Sequence, residues 1–281
     1  MKKIILAVAV FGAIQGCAGT PYHHENDTSK STAMNILEDT TRDVTRFVED
    51  TPNGTDNFTE RSLGEVMSAG LAVWAYQNPI AGIPKEVGAI AAYSSGFDSG
   101  APLHRQPILS AYWEYEQGDD EGTAGQRLMS RIGEALDQVA GEYDGESKLY
   151  GVQYDGHVTY GLWSLEAEDL GCTENARCAI RAKVNANSWE GLTRAEWAGR
   201  NSHNMNERAW RTVSYTDKIY SQILVIKENG SKEDNLEGVY TAISNELPES
   251  FAIYLPPVSE FGIHADYPYI LQQGEKLLFK K

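Results

Sequence analysis

The chain has 281 residues, of which 41% are hydrophobic and 10% aromatic, so it has enough apolar side chains to build a folded core. Its formal net charge is −16, from 24 basic and 40 acidic residues. So acidic a chain, with no basic patch to offset the charge, repels the phosphates of DNA and RNA, and we expect no nucleic-acid partner.

The N-terminus has the features of an export signal. Lys2 and Lys3 precede an apolar run of eleven residues from Ile4 to Ile14. That run is too short to cross the core of a bilayer and is typical of the apolar region of a signal peptide.

The apolar run ends in the tetrad Ile14-Gln15-Gly16-Cys17, which resembles the lipobox of bacterial lipoproteins. The resemblance implies cleavage before Cys17 and attachment of lipid, including palmitate, to that cysteine. Ala18 follows the cysteine where lipoproteins kept in the inner membrane have Asp, so the resemblance implies an outer-membrane location facing the periplasm. The membrane is then a partner through the N-terminal lipid.

Three segments follow from this interpretation: a signal peptide at 1–16, a lipidated tether at 17–58 and a single globular domain at 59–281. Within the tether, Leu37, Val44, Phe47 and Val48 are spaced as on an amphipathic helix over 33–50. Residues 66–84 carry no charged side chain. Prolines interrupt this region, so two short buried helices, about 60–77 and 84–95, explain it better than a membrane span.

The cysteine count agrees with export. With Cys17 lipidated, Cys172 and Cys178 remain as a pair, six residues apart in a polar stretch. An oxidising compartment favours a disulfide between them, whereas a zinc pair usually has closer spacing and a second pair of ligands nearby.

The globular region alternates strand and helix patterns. We predict a strand at 107–115, a helix at 123–142 and a hairpin at 148–165 around Asp155-Gly156, the residue pair that favours a two-residue turn. That turn would place Tyr150 opposite Gly161 and Tyr160 opposite Gly151, in a hairpin covered on both faces. Further along, we predict strands at 179–184, 219–226 and 251–255, helices at 193–200, 205–213 and 232–245, and a closing hairpin around Gln273-Gly274.

These elements do not follow a regular βαβ repeat. The sequence therefore predicts an α+β fold with a mixed, mainly antiparallel sheet and helices packed on it, preceded by a helical N-terminal segment.

Common catalytic motifs are absent from the sequence. Glu166, Glu168 and Asp169 are candidate carboxylates for a hydrolase. His203 and Glu207 have helical spacing that suits a metal, with His264 or Asp266 as a third ligand. Neither set exceeds what an acidic chain contains by chance, so we predict no catalytic residue, no metal and no cofactor.

The segment from Pro257 to Pro268 combines prolines with Phe261, His264 and Tyr267. Proline limits the entropy lost on binding, and aromatic rings bury a large area, so we predict that these three residues contact a partner. We expect a binding or scaffold module for a protein or envelope component, and enzymatic activity is the weaker expectation. The alternatives are an immunity-type lipoprotein that neutralises a basic toxin, and a periplasmic hydrolase.

Overall fold

The computed structural model of the chain describes residues 27–42, 50, 106–189, 196–198, 209–215, 221–227, 230, 231, 233–257 and 262–279. Cys17, the expected helices at 60–77 and 84–95, the pair His203 and Glu207, and Phe261 lie outside these residues.

Three helices and twelve strands form in the described part of the chain. The helices are α1 (Thr32–Thr40), α2 (Glu121–Glu142) and α3 (Glu237–Glu246). The strands are β1 (Thr41–Arg42), β2 (Ile108–Glu114), β3 (Glu146–Tyr154), β4 (Thr159–Glu166), β5 (Cys178–Val184), β6 (Ala186–Trp189), β7 (Ala209–Thr212), β8 (Ser214–Tyr215), β9 (Gln222–Lys227), β10 (Phe251–Leu255), β11 (Tyr269–Gln272) and β12 (Glu275–Leu278).

Two antiparallel sheets organise the fold. One has six strands in the order β12-β11-β10-β2-β7-β6, and the other has four in the order β3-β4-β5-β9. Strands β1 and β8 form a short parallel pair. The α+β prediction, with mainly antiparallel sheets and packed helices, is confirmed.

The larger core lies between the sheets and the helices α2 and α3. Helix α2 contacts β3, β4 and β6, and α3 contacts β10 and β11. Apolar side chains from both sheets and both helices join in one buried cluster. Because side chains alternate along each strand, the six-stranded sheet also has an opposite face, where Ile108, Tyr112, Tyr254 and Ile270 pack with α1 in a second cluster.

Helix α2 agrees closely with its sequence pattern. Leu128, Ile132 and Val139, which define the predicted apolar stripe, are fully buried. The helix begins two residues before the expected Thr123, because the carboxylate of Asp120 caps it by accepting a hydrogen bond from the Thr123 amide at 2.8 Å.

Helix α1 is shorter and more buried than the sequence predicts. It begins after Ser31, whose hydroxyl accepts a hydrogen bond from the Met34 amide at 3.0 Å, and the chain turns extended at Thr41. The expected helix over 33–50 is therefore wrong at Thr41 and Arg42, which form β1, while residues 43–49 lie outside the described part of the chain. Polar residues such as Asn35 are buried along with the apolar ones, so α1 has no narrow stripe.

The β3–β4 hairpin forms, but with a different register. Tyr154 pairs with Thr159, so the loop has four residues instead of two. The Asp155 carboxylate stabilises this longer loop by accepting hydrogen bonds from the amides of His157 and Val158 at 3.1 and 2.9 Å.

The shifted register overturns the predicted pairs of tyrosine and glycine. Val152 now lies opposite Gly161, and a bulge follows Leu149. Gly161 is covered by its neighbours Trp163 and Met129 and not by a ring across the hairpin. We expected the hairpin to lie mid-sheet, but within the described residues β3 is an edge strand of its sheet.

In the C-terminal half, one predicted element is wrong and another is confirmed. The expected helix around Ala209 and Trp210 is instead strand β7, held between β2 and β6. The closing hairpin is confirmed, and Gln273 and Gly274 occupy its turn with φ of 50° and 73°.

Candidate functional site

A disulfide joins Cys172 to Cys178 with the two Cα atoms 5.2 Å apart, which confirms the predicted pair. Both residues are fully buried in the larger core. The bond closes the short loop between β4 and β5, and Cys178 is the first residue of β5. Because Cys172 also forms a β-bridge with Ala167, just after β4, the bond ties the loop that follows β4 to the start of β5.

The most unusual surface in the described residues is one side of edge strand β3. Leu149, Val152 and Tyr154 are 54%, 38% and 36% exposed, which is high for large apolar side chains. We call these three residues the β3 strip. The neighbouring strand β4 is buried along almost its whole length, so the exposure is particular to the edge.

The pairing with β4 shows which way the strip points. Its three residues lie opposite Trp163, Gly161 and Thr159. Trp163 and Thr159 pack against glycines of α2, and directly opposed residues of a sheet share a face. The β3 strip therefore lies on the same side of the sheet as α2.

Helix α2 borders the strip along its length. At one end, the ring of Tyr154 rests on Gly122, where a methyl group would come within 2.8 Å of the ring. At the other end, the hydroxyl of Ser147 donates a hydrogen bond to Asp137. The exposed helix residues Gln126 and Ser130 share the helix face of Asp137 and lie between these two contacts.

Acidic side chains surround both ends of the strip. Burial raises the pKa of Tyr154, and the negative charges of Glu121, Asp120 and Asp155 raise it further. These charges therefore lie close to the tyrosine hydroxyl.

At the far end of the strip are Asp137 and the exposed residues Asp144 and Glu146. The basic residue within β3, Lys148, is on the opposite face of the strand, where its ammonium group lies 5.0 Å from the centre of the Tyr150 ring.

The predicted contact loop is held firmly against the start of α3. The Leu236 amide donates to the Gly262 carbonyl at 2.7 Å, and the His264 amide donates to the Glu237 carboxylate at 3.1 Å. The His264 ring nitrogen Nε2 lies 2.9 Å from the Asp234 carbonyl oxygen. His264 and Tyr267 are exposed, while Ile263 between the anchors is buried.

Next to this loop lies a buried tyrosine that the sequence did not single out. Tyr269 is fully buried, and burial together with the nearby Glu237 carboxylate raises the pKa of its hydroxyl. Lys276 lies over its ring, 4.4 Å from the centroid, and also pairs with Glu237 at 3.3 Å.

The candidate catalytic carboxylates are not brought into one arrangement. Glu166 forms an ion pair with Arg177, and Glu168 and Asp169 lie in a short 3₁₀ turn after β4. Within the residues that the structure describes, no group of three or more His, Cys, Asp or Glu is placed to hold a metal ion. No helix in the same residues has both the length and the apolar character needed to cross a membrane.

A buried charge network connects α1 to the six-stranded sheet. The Asp39 carboxylate accepts hydrogen bonds from the Tyr112 hydroxyl at 2.7 Å and from the Trp197 indole at 3.0 Å. Arg211 lies 3.3 Å from the same carboxylate and donates to the Asp39 carbonyl at 2.8 Å. Burial and the charge of Asp39 raise the pKa of Tyr112 well above its usual value.

Sequence reasoning missed both the β3 strip and the Asp39 network. The sequence predicts β3 as a strand but places it in the middle of a sheet. It gives Asp39 as one of several charged residues on a helix face. Comparisons with family models, curated proteins and solved structures find no match to the chain.

Proposed function

We propose that the chain is an outer-membrane lipoprotein whose globular domain binds a protein or another component of the cell envelope. The N-terminal resemblance to lipoproteins supports the location, with Cys17 as the lipidated residue. The Cys172–Cys178 disulfide supports an oxidising compartment, since such bonds are rare in the cytosol.

The observation that carries the binding function is the β3 strip. A protein that leaves three large apolar side chains exposed on an edge strand risks non-specific association, unless a partner covers them. An edge strand is also a common place for recognition, because its backbone can pair with an incoming segment.

The loop around His264 and Tyr267 provides a second contact surface in this proposal, together with Phe261. Glu237 holds the backbone amide of His264, and the Asp234 carbonyl lies against its ring, before any partner arrives, so little entropy would be lost there on binding. The immunity-type alternative is supported by the acidic side chains at both ends of the β3 strip, which suit a basic effector.

The location is tested with Cys17→Ser. The native chain should incorporate labelled palmitate and fractionate with the outer membrane, whereas the variant should do neither. Membrane retention of the variant equal to that of the native chain would contradict the proposal.

The binding function is tested by placing a photo-crosslinking residue at position 152 in intact cells, with position 153 as a matched control on the other face of the strand. A discrete adduct from position 152 that is much weaker from position 153 is expected. Adducts of equal yield at both positions, or none at either, would contradict a function that depends on the strip.

A further inference from the structure

Among the strands that the structure describes, β3 lies at the edge of its sheet. It has nine residues, all exposed or half-buried, and in the described part of the chain it pairs with β4 alone. An edge strand can accept another strand through its outward amides and carbonyls. At about 3.4 Å per residue, the span from Leu149 to Tyr154 matches an added segment of about six residues.

The β3 strip determines which side chains the centre of the added segment needs. An added strand places alternate side chains on the α2 side, next to Leu149, Val152 and Tyr154. In the first part of α2, the exposed helix residues on this side, Gln126 and Ser130, are uncharged. Apolar side chains at alternate positions of the added segment would therefore bury the strip beside uncharged helix residues.

The acidic residues at both ends of the β3 strip determine which side chains the ends of the added segment need. Glu121 and Asp155 lie near the Tyr154 end, and Asp144 and Glu146 near the other. A second copy of this chain pairing through its own β3 would bring acidic ends together in either orientation, so repulsion disfavours self-pairing. A segment with Lys or Arg at both ends complements the edge.

We propose that β3 accepts an extended segment of a partner protein as an added strand, and that this segment has alternating apolar residues in its centre and basic residues at both ends. This inference rests on the proposed function and names the chemistry of its partner. The same edge would also suit a basic effector in the immunity-type alternative.

The test uses the full chain in detergent and two synthetic peptides with the same alternating Val-Thr centre. One peptide has two lysines at each end, and the other has two glutamates. The lysine peptide should bind at least about tenfold more tightly at low salt, and raising the ionic strength should reduce this advantage, because exposed charges are screened.

Hydrogen exchange locates the binding. The lysine peptide should slow amide exchange in residues 146–154 and leave the edge strand at 275–278 unchanged. The same peptide N-methylated at alternate residues, which removes donors from one of its edges, should give no protection.

Three variants separate the apolar contribution to binding from the charge contribution. Val152→Thr should weaken the lysine peptide about fivefold or more, whereas Gln153→Thr on the opposite face should change binding by less than about twofold. Glu121→Gln combined with Asp144→Asn should reduce the difference in affinity between the lysine and the glutamate peptide.

Each result that contradicts the proposal excludes a different part of it. Equal binding of both peptides, with the crosslink from position 152 still present, would overturn the charge assignment and leave the proposed function standing. No protection of 146–154 by either peptide would overturn strand addition. A dimer of the chain that dissociates on Val152→Thr would show that the edge accepts a second copy, and would also overturn the proposal.

Discussion

Replacing Asp39 with Asn should cost most of the stability that α1 gains from docking on the sheet. The Asp39 and Arg211 side chains are 0% and 3% exposed, so the substitution removes a buried negative charge that lies against the guanidinium. Removing one partner of such a pair costs about 3–5 kcal/mol. In a domain of this size the loss corresponds to a fall in Tm of about 6–20 °C.

The matched control is Glu38→Gln, one residue earlier in the same helix. Glu38 pairs with Lys30, and these two side chains are 20% and 31% exposed. An ion pair with solvent access contributes about 1 kcal/mol or less, so this variant should hardly change Tm.

Calorimetry of the full chain measures both variants, and hydrogen exchange of residues 32–40 shows whether α1 opens locally. If Asp39→Asn and Glu38→Gln differ by less than about 1 kcal/mol, and α1 keeps its protection, the buried pair does not hold α1 in place.

Four other predictions follow from particular contacts. Gly161→Ala should destabilise the fold by about 1–3 kcal/mol, because its methyl group would overlap the Trp163 ring. Gly141→Ala, with open space around it, should be neutral or stabilising by up to about 1 kcal/mol. Chemical denaturation measures both variants, and equal effects would contradict the packing argument. Alkylation of the denatured, unreduced chain should modify neither Cys172 nor Cys178, and labelling of both would show that the bond does not form. Phe261→Ala and Tyr267→Ala should leave Tm nearly unchanged and weaken the partner complex, and a large fall in Tm would place these rings in the core. The hydrogen bond from Lys227 lowers the pKa of Asp234, so the contribution of this carboxylate to stability is present above the ordinary carboxyl pKa and is lost as pH falls through the lowered value. The Tm difference between the native chain and Asp234→Asn should therefore shrink on acidification, and a constant difference would contradict this assignment.

Much of the fold could be predicted from sequence where one local pattern determines the element. The apolar stripe of α2, the turn residues Gln273 and Gly274, and the pair Cys172 and Cys178 each predict their structure directly. In these cases the interacting groups lie within a few turns or residues of one another, so no knowledge of distant contacts is needed.

The wrong predictions depend on distant contacts. Trp210 and its neighbours have helical spacing, but pairing with β2 and β6 makes them a strand, because tertiary packing overrides a weak local preference. The register of the β3–β4 hairpin depends on hydrogen bonds that the Asp155 side chain accepts from the amides of His157 and Val158, which a two-residue turn rule does not include.

The candidate site could be predicted only in part. The hairpin sequence shows that Leu149, Val152 and Tyr154 are in a strand, but the position of that strand within a sheet depends on which other strands pair with it. The sequence pattern of β3 resembles that of a covered strand, and only the strand order reveals that these side chains are exposed at an edge.

The most direct test of the central claim compares hydrogen exchange of residues 146–154 in isolated native envelopes with exchange in the purified chain in detergent. If a partner covers the β3 strip, exchange should be slower in the envelopes for these residues, and exchange at 275–278 should be unchanged. Equal exchange rates at 146–154 in the two preparations would show that the edge of β3 is free in its native setting and would contradict the account.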